Sequence, residues 1–419
     1  MTDRPLRFCM ITTFYPPYNF GGDGIFVHRL SNALARRGHQ VDVIHCVDAY
    51  RLLARREPAG TYDDHPNVTV HGLKSPVGFL SPLATHQTGL PFFKSGRIRQ
   101  ILDKGFDVIH YHNISLVGGP GILKCGQGIK VYTMHEYWLV CSTHVLFRFG
   151  REPCRLPHCF PCALVYRRPP QWWRYFGLME GAIKHVDAFI SPSRFSREKH
   201  QQMGLKARIE AIPYFIPLLA EKVLEPEETA QETLEKPYFL FVGRLEKIKG
   251  LQTLIPVFRH YRKAELLVAG TGVYEARLQQ LAQGSVGIRF LGHLSQGRLQ
   301  ALYRKAVALI VPSICFDVFP NVVLEAFRQK TPAIVRNLGG MPEFIEDSGG
   351  GFVYDTNEAL VAAMNQLLSD PTYRCELGLR GYQTYQRQWT VEAHLERYFV
   401  LIDGIAEARG RRSVEALSR

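Results

Sequence analysis

Residues 311–329 read VPSICFDVFPNVVLEAFRQ. An apolar run closing at Pro312 predicts the end of a buried strand, followed by a loop and a helix that opens near Phe319–Pro320. Asp317 falls in the loop and Glu325 in the helix, with seven residues between them. A helix start presents backbone N–H groups without helical partners and the positive end of a dipole, which suits a phosphate. Proline is tolerated there because its missing N–H would have had no partner. A carboxylate on either side of such an anion site could grip hydroxyl groups, one on a sugar and one on a ribose.

Working outward, strand–loop–helix alternation repeats in both directions. Upstream, YFLFVG (238–243) reads as a strand, RLEKIKG (244–250) as a loop, and a helix follows from Leu251. Arg244 and Lys249 lie just past that strand end. Two cations there could neutralise a diphosphate, arginine by its fork and lysine as a point charge. A GxxxxGK[ST] phosphate loop is absent, because Gly243 and Gly250 do not frame it. Downstream, NLGG (337–340) and Pro342 would open a short helix beside the same crevice.

The first half repeats the pattern. Strand RFCMITT (7–13) leads through YPPYNFGGDG into a helical run from Ile25 to Arg37, then into strand VDVIHCV (41–47). A βαβ start of this kind predicts a doubly wound sheet whose ligands sit at the carboxyl ends of its strands. Gly21 and Gly22 would let backbone N–H groups come close to a ligand with no Cβ in the way. Two later strands carry histidines at their carboxyl ends, VIHYHN with His110 and His112, and YTMHEYW with His135 beside Glu136. His135 is the foremost candidate, because an acid follows it.

Later in the first half stands VCSTHVLFRFGREPCRLPHCFPCAL (140–164), which holds Cys141, Cys154, Cys159 and Cys162 of the nine cysteines. Clustered thiolates in a reducing compartment suit a closed tetrahedral zinc site better than disulfides. A structural zinc is therefore expected, with His144 and His158 as replacement ligands.

The 419 residues are too many for one ordinary core. The expected organisation is α/β throughout: a Rossmann-like domain at 1–212 with the cysteine-rich insertion at about 140–165, a Pro- and acid-rich linker at 213–236, and a second Rossmann-like domain at 237–385. Helices at 386–419 would pack back on the first domain. Two doubly wound halves would face each other across a cleft. No apolar run approaches the length needed to span a bilayer and the amino terminus is not a signal peptide, so a cytoplasmic location is expected.

The net charge of +13 is unequally shared. Residues 1–210 hold 27 Lys/Arg against 15 Asp/Glu, net +12, and the remainder holds 24 against 23. A basic amino-terminal half implies an anionic partner. Basic residues adjoin aromatic ones at Phe92–Phe93–Lys94 and at Arg167–Arg168 before Trp172–Trp173–Arg174, the makeup of segments that lie at a membrane surface.

Taken together, these residues resemble glycosyltransferase family 4, the retaining nucleotide-sugar transferases of the GT-B fold. The resemblance rests on VGRLEKIKG (242–250), on Asp317 to Glu325 in FDVFPNVVLEAF (316–327), on LGGMPEFIED (338–347), and on Gly21–Gly22 with TMHEYW (133–138). It spans most of the chain and is densest over 238–355. It implies that Arg244 and Lys249 hold the donor diphosphate and that Glu325 binds the ribose hydroxyls. Asp317, with the N–H groups of Phe319, Asn321 and Val322, would hold the sugar. Gly22 would approach the diphosphate, and His135 would touch the transferred sugar near the reacting carbon. It further implies a nucleoside-diphosphate sugar donor, a lipid-linked or glycan acceptor, attack from the front face, and no metal in catalysis. Two departures stand out: Asp317 where the pattern usually has Glu, and Pro320 in place of a common glycine, which removes one N–H donor.

The competing readings are a non-catalytic scaffold that binds a nucleotide sugar or an anionic lipid, and a nucleic-acid binder using the cysteine segment. Against the second, the Arg244–Lys249–Asp317–Glu325 set sits in the half whose charge is nearly balanced, so no nucleic-acid partner is expected.

Overall fold

The computed structural model describes residues 4–58, 60–218 and 236–417, with side chains to 410; the core of the expected linker, 219–235, lies outside them. The chain divides into two compact units. The first comprises Met1–Val145, Leu156–Pro213 and His394–Arg419, and the second Leu146–Arg155 and Tyr214–Ala393.

The first unit is built on strands β1 (Arg7–Ile11), β2 (Gln40–Cys46), β3 (Val68–Leu73), β4 (Val108–Tyr111) and β5 (Ile129–Thr133). A short hairpin of β6 (Phe147–Arg148) and β7 (Glu152–Pro153) follows in sequence but belongs to the second unit. Strands β8 (Ala188–Ser191) and β9 (Ile209–Ala211) complete the first sheet, in the order β3-β2-β1-β4-β5-β8-β9, with every pairing parallel. The second unit carries β10 (Tyr238–Val242), β11 (Glu265–Ala269), β12 (Ile288–Gly292), β13 (Leu309–Val311), β14 (Ala333–Arg336) and β15 (Gly351–Tyr354). Their order is β12-β11-β10-β13-β14-β15, again all parallel. Both orders reverse direction beside the first strand of the sheet, which makes each unit doubly wound.

The burial pattern explains why these stretches are strands. In β1, β4, β5, β8, β10 and β13 nearly every residue is buried, as required when helices cover both faces of a parallel sheet. The outer strand β3 is largely open to solvent instead, with only Leu73 buried. The core of the second unit joins Phe239, Phe241 and Val268 to Phe258 and Met364 on one face, and Leu240, Leu267 and Leu309 to Phe327 and Trp389 on the other.

Helix boundaries shift from their expected places. The first helix is Gly22–Arg36 and begins three residues before Ile25, with extended Gly21 as its N-cap. The helix after β13 is Asn321–Arg328, and Pro320 stands just outside it. The helix after the 244–250 loop starts as a tight turn over Leu251–Thr253 and becomes α-helical at Leu254. Among the described residues no helix is long and apolar enough to cross a membrane.

Candidate functional site

In the second unit four loops leave the carboxyl ends of neighbouring strands β11, β10, β13 and β14 and lock onto one another. The loop after β10 takes Leu245 N–H to Thr271 O at 2.9 Å, and its Ile248 carbonyl accepts from Ile314 N–H at 2.9 Å. The Asp317 carbonyl in turn accepts from Gly340 N–H at 2.9 Å. Such close approach demands glycine at defined points. Gly250 has φ +77°, and a Cβ there would overlap the Pro312 carbonyl oxygen. Gly339 has φ +68° and faces the Asp317 backbone, where a Cβ would come within 2.8 Å of its nitrogen.

This frame sets Lys249 Nζ 2.7 Å from Asp317 Oδ1, across the ends of β10 and β13 where the strand order reverses. Burial works against the ammonium, but the Asp317 carboxylate outweighs it and holds Lys249 above the usual lysine value, while Arg244 nearby opposes it. Asp317 Oδ2 and Asn321 Oδ1 are buried without a hydrogen-bond donor. The pair thus carries an acceptor surplus beside the start of the helix Asn321–Arg328, whose first N–H groups have no carbonyl one turn back.

Arg244 is more than half exposed and pairs with Glu246 at 2.8 Å. Glu325 lies one turn into its helix and accepts the Tyr303 hydroxyl at 3.0 Å. The half-buried Phe319 side chain packs against the Phe344 ring at 4.5 Å and the Tyr214 ring at 5.3 Å. Glu246 stands two residues from Arg244 within the quoted loop, whereas Tyr303 lies 22 residues before Glu325 and had no local signal as its partner. The tip of the β6–β7 hairpin joins the same loop, with the Gly150 carbonyl accepting from Lys247 Nζ at 2.8 Å.

In the first unit the strand-end histidines assemble. His112 Nδ1 lies 2.9 Å from His135 Nε2. His110 Nε2 meets the Thr133 hydroxyl at 2.7 Å and its Nδ1 meets the Tyr398 hydroxyl at 2.9 Å. Phe26 packs edge-on against both His135 and His394, at 5.4 and 5.5 Å. Burial lowers His135 to about 3 and His394 to about 4, so both rings are neutral near pH 7. Glu136 does not orient His135 as its position in the sequence suggested. It pairs with His144 at 2.7 Å.

Gly21 needs no glycine for its own backbone conformation. Its φ of −159° is ordinary extended backbone. The tight position is Gly24, where a Cβ would collide with the Asn19 side chain that itself bonds Gly21 O at 2.7 Å.

The zinc expectation does not hold in this arrangement. Among the described residues no group of three or more His, Cys, Asp or Glu could hold a metal ion. Cys141 and Cys162 lie near enough to Cys159 to add to the burial that raises its thiol value, but Cys154 sits on the hairpin of the other unit. The Cys141 thiol meets the Thr143 hydroxyl at 3.3 Å. The two reserve ligands are committed elsewhere, His144 to Glu136 and His158 to the Leu156 carbonyl.

Two family models match the chain: "Glycosyltransferase Family 4" over residues 20–218 and "Glycosyl transferases group 1" over residues 225–384. Among curated relatives, a glycogen synthase of Mycobacterium tuberculosis is 25% identical over 87% of this chain and 87% of its own. A D-inositol 3-phosphate glycosyltransferase of Xylanimonas cellulosilytica is 27% identical over 94% and 93%. The lipopolysaccharide core biosynthesis glycosyltransferase LpsE of Rhizobium meliloti is 26% identical over 52% of this chain and 65% of its own. Among solved structures, sucrose-phosphate synthase from Thermosynechococcus elongatus superposes with a TM-score of 0.74 at 20% identity, covering 96% of this chain and all of that one. HepE of Anabaena, solved with UDP and glucose, gives 0.65 at 15% identity over 95% and 100%.

Proposed function

This chain is a group 1 glycosyltransferase of family 4 with the GT-B fold, and from that premise we propose that it transfers a hexose from a nucleoside-diphosphate sugar to a lipid-linked or polysaccharide acceptor, with retention at the anomeric carbon. The observation that carries the reading is the Lys249–Asp317 pair at the strand-order reversal of the second sheet, beside a helix start. A diphosphate and the sugar it bears are adjacent in a donor, and a cation adjacent to a carboxylate matches that order. HepE bound to UDP and UDP-glucose, and relatives named for glycogen and lipopolysaccharide core synthesis, support the donor class and the acceptor class respectively.

Lys249 and Arg244 would neutralise the diphosphate as the bond from sugar carbon to phosphate oxygen breaks. Charge grows on that oxygen in the transition state, so fixed cations and helix N–H groups lower the barrier more than they bind the ground state. Asp317, with the backbone N–H groups of Phe319, Asn321 and Val322, would hold the sugar hydroxyls, and Glu325, propped by Tyr303, the ribose. In the first unit, Gly21 and Gly22 would serve the diphosphate and His135 the transferred sugar. A neutral imidazole suits that role, since it can hydrogen-bond a hydroxyl without adding charge. The acceptor hydroxyl forms the new bond on the face that the phosphate leaves, and its proton passes to the departing phosphate oxygen. Charge neutralisation falls to side chains, and no step is routed through a metal. The basic first half supports an acceptor presented at the cytoplasmic face of a membrane.

The test is turnover of a panel of nucleotide sugars by purified protein, with the anomeric configuration of the product read by NMR. Lys249→Ala and Glu325→Ala should each lose about 10²–10³ in kcat/KM. Binding without turnover of any donor would favour the scaffold reading, and an inverted product would remove the retaining assignment.

A further inference from the structure

Fourteen of the twenty-five exposed large apolar side chains among the described residues stand on two stretches of the first unit, 74–102 and 156–179. Together these make up 53 of the 419 residues, so the concentration is not what scatter gives. The exposed set includes Phe79, Phe92, Phe93, Trp172, Tyr175 and Phe176, the last 81% exposed. The same two stretches hold seven Lys/Arg and no Asp or Glu. Five of the seven, Lys74, Arg97, Arg99, Arg167 and Arg168, are exposed.

The two stretches form one surface. The Trp173 indole N–H donates to the His86 carbonyl at 2.9 Å, fastening the turn Trp172–Tyr175 to the helix Leu80–Thr88. Gly89, at φ +69°, closes that helix where a Cβ would sit within 2.9 Å of the Trp173 ring. From the other end, buried Lys94 donates to Ser81 Oγ at 2.9 Å and Thr85 Oγ1 at 3.2 Å, pinning the turn Phe92–Lys94 to the same helix. Phe160 on the helix Cys159–Val165 packs on Trp172 with ring centroids 6.0 Å apart. The fold therefore spends its buried contacts, Trp173 and Lys94, on holding the aromatic residues beside them outward.

We propose that this face is the docking surface for an anionic lipid headgroup layer. A rigid aromatic and aliphatic face dominated by positive charge, with the exposed acids Asp103 and Glu180 just past the ends of its two stretches, meets both demands of that partner: apolar side chains enter the headgroup boundary while Lys and Arg meet lipid phosphate. A second copy of the chain fits worse, because a predominantly cationic face would oppose itself. The inference deepens the membrane-side acceptor reading by naming the lipid and the residues that meet it.

The experiment is co-sedimentation of the full chain with acceptor-free vesicles of phosphatidylglycerol and phosphatidylcholine in roughly equal amounts, against phosphatidylcholine alone. Binding is expected to the anionic vesicles only, and to weaken as salt rises from about 0.1 to 0.5 M. Trp172→Ala with Phe176→Ala should weaken binding about tenfold or more. Val273→Ala with Val286→Ala, which removes exposed but scattered apolar side chains of the second unit, should leave it unchanged. Lys249→Ala should bind vesicles as wild type does, so failure of donor turnover and failure of docking are separate results. Equal binding of the Trp172/Phe176 variant, no preference for anionic vesicles, or concentration-dependent self-association abolished by that variant would each overturn the proposal.

Discussion

Lys249 Nζ and Asp317 Oδ1 meet at 2.7 Å although 68 residues separate them in the chain. The contact exists because the loops carrying them are tied by backbone hydrogen bonds between Ile314 and Ile248 and between Gly340 and Asp317. An ion pair held by backbone on both sides is pre-organised, so a ligand phosphate meets an ammonium already in place. Asp317→Asn keeps the shape and removes the charge. Lys249 is held above the lysine value of 10.5, so the pair stabilises the fold fully below that value, and its contribution is lost as pH rises through the folded value. The wild type should therefore exceed Asp317→Asn by on the order of 1–3 kcal/mol at about pH 8, and the gap should narrow as pH rises above 10.5. Urea midpoints below and above that value check this.

Glu325 is steadied by the Tyr303 hydroxyl at 3.0 Å, a bond made from a different helix. Tyr303→Phe removes the donor and little else. If Glu325 binds the ribose, the variant should raise the donor KM about three- to tenfold with kcat nearly unchanged, as expected for a lost hydrogen bond to a charged group. A fall in kcat with constant KM would place Glu325 in the chemical step instead.

How far the sequence carried this description depends on where each signal lies. The strands were readable because a parallel sheet buried on both faces leaves unbroken apolar runs such as YFLFV and LIV. The acid and cation of the second-unit site were readable because each follows such a strand at its carboxyl end. What failed was pairing by proximity in the chain. Glu136 adjoins His135 in sequence, yet successive residues point in different directions, and its partner is His144. The four cysteines lie within 22 residues of one another, yet Cys154 belongs with the hairpin to the second unit and the other three to the first. Tyr303 and His112 support their neighbours through tertiary contacts, for which a local window holds no signal.

The His112–His135 contact makes His112 a positioning residue if His135 serves the sugar. One ring must donate and the other accept, which couples the tautomer of His135 to that of His112. His112→Asn can place an amide near the position of Nδ1 and should retain most activity. His112→Ala should lower kcat about tenfold, with the donor KM within about twofold. Equal loss in both variants would mark His112 as packing alone.

Burial holds His45, His86, His200 and His394 each near 4, well below the 6.5 of an exposed imidazole. The unfolded chain then binds more protons than the native one below pH 6.5. Stability should be full above that value and fall steadily toward pH 4. His394 donates Nδ1–H to the Pro213 carbonyl at 2.7 Å, a bond that Asn can imitate. His394→Asn should therefore flatten the stability profile between pH 6.5 and 4 by up to about 1.4 kcal/mol per pH unit. Calorimetry or urea titration across that range measures the slope, and an unchanged slope would show that His394 is not neutral in the native state.

Gly250 and Gly284 share the same left-handed backbone, φ +77° in both, but not the same surroundings. At Gly250 an added methyl would run into the Pro312 carbonyl, whereas at Gly284 nothing lies within 4 Å. The two alanine variants thus separate backbone strain from steric contact. Gly284→Ala should cost about 1–2 kcal/mol, the strain term alone. Gly250→Ala adds a clash that can be relieved only by parting the 244–250 loop from the loop that follows β13. It should cost about 2 kcal/mol more and lower transfer activity as well, because the relief moves Lys249 away from Asp317. Chemical denaturation and donor kinetics on the pair of variants test both halves. Equal destabilisation, with activity intact at Gly250→Ala, would mean that the loops part without moving the ion pair.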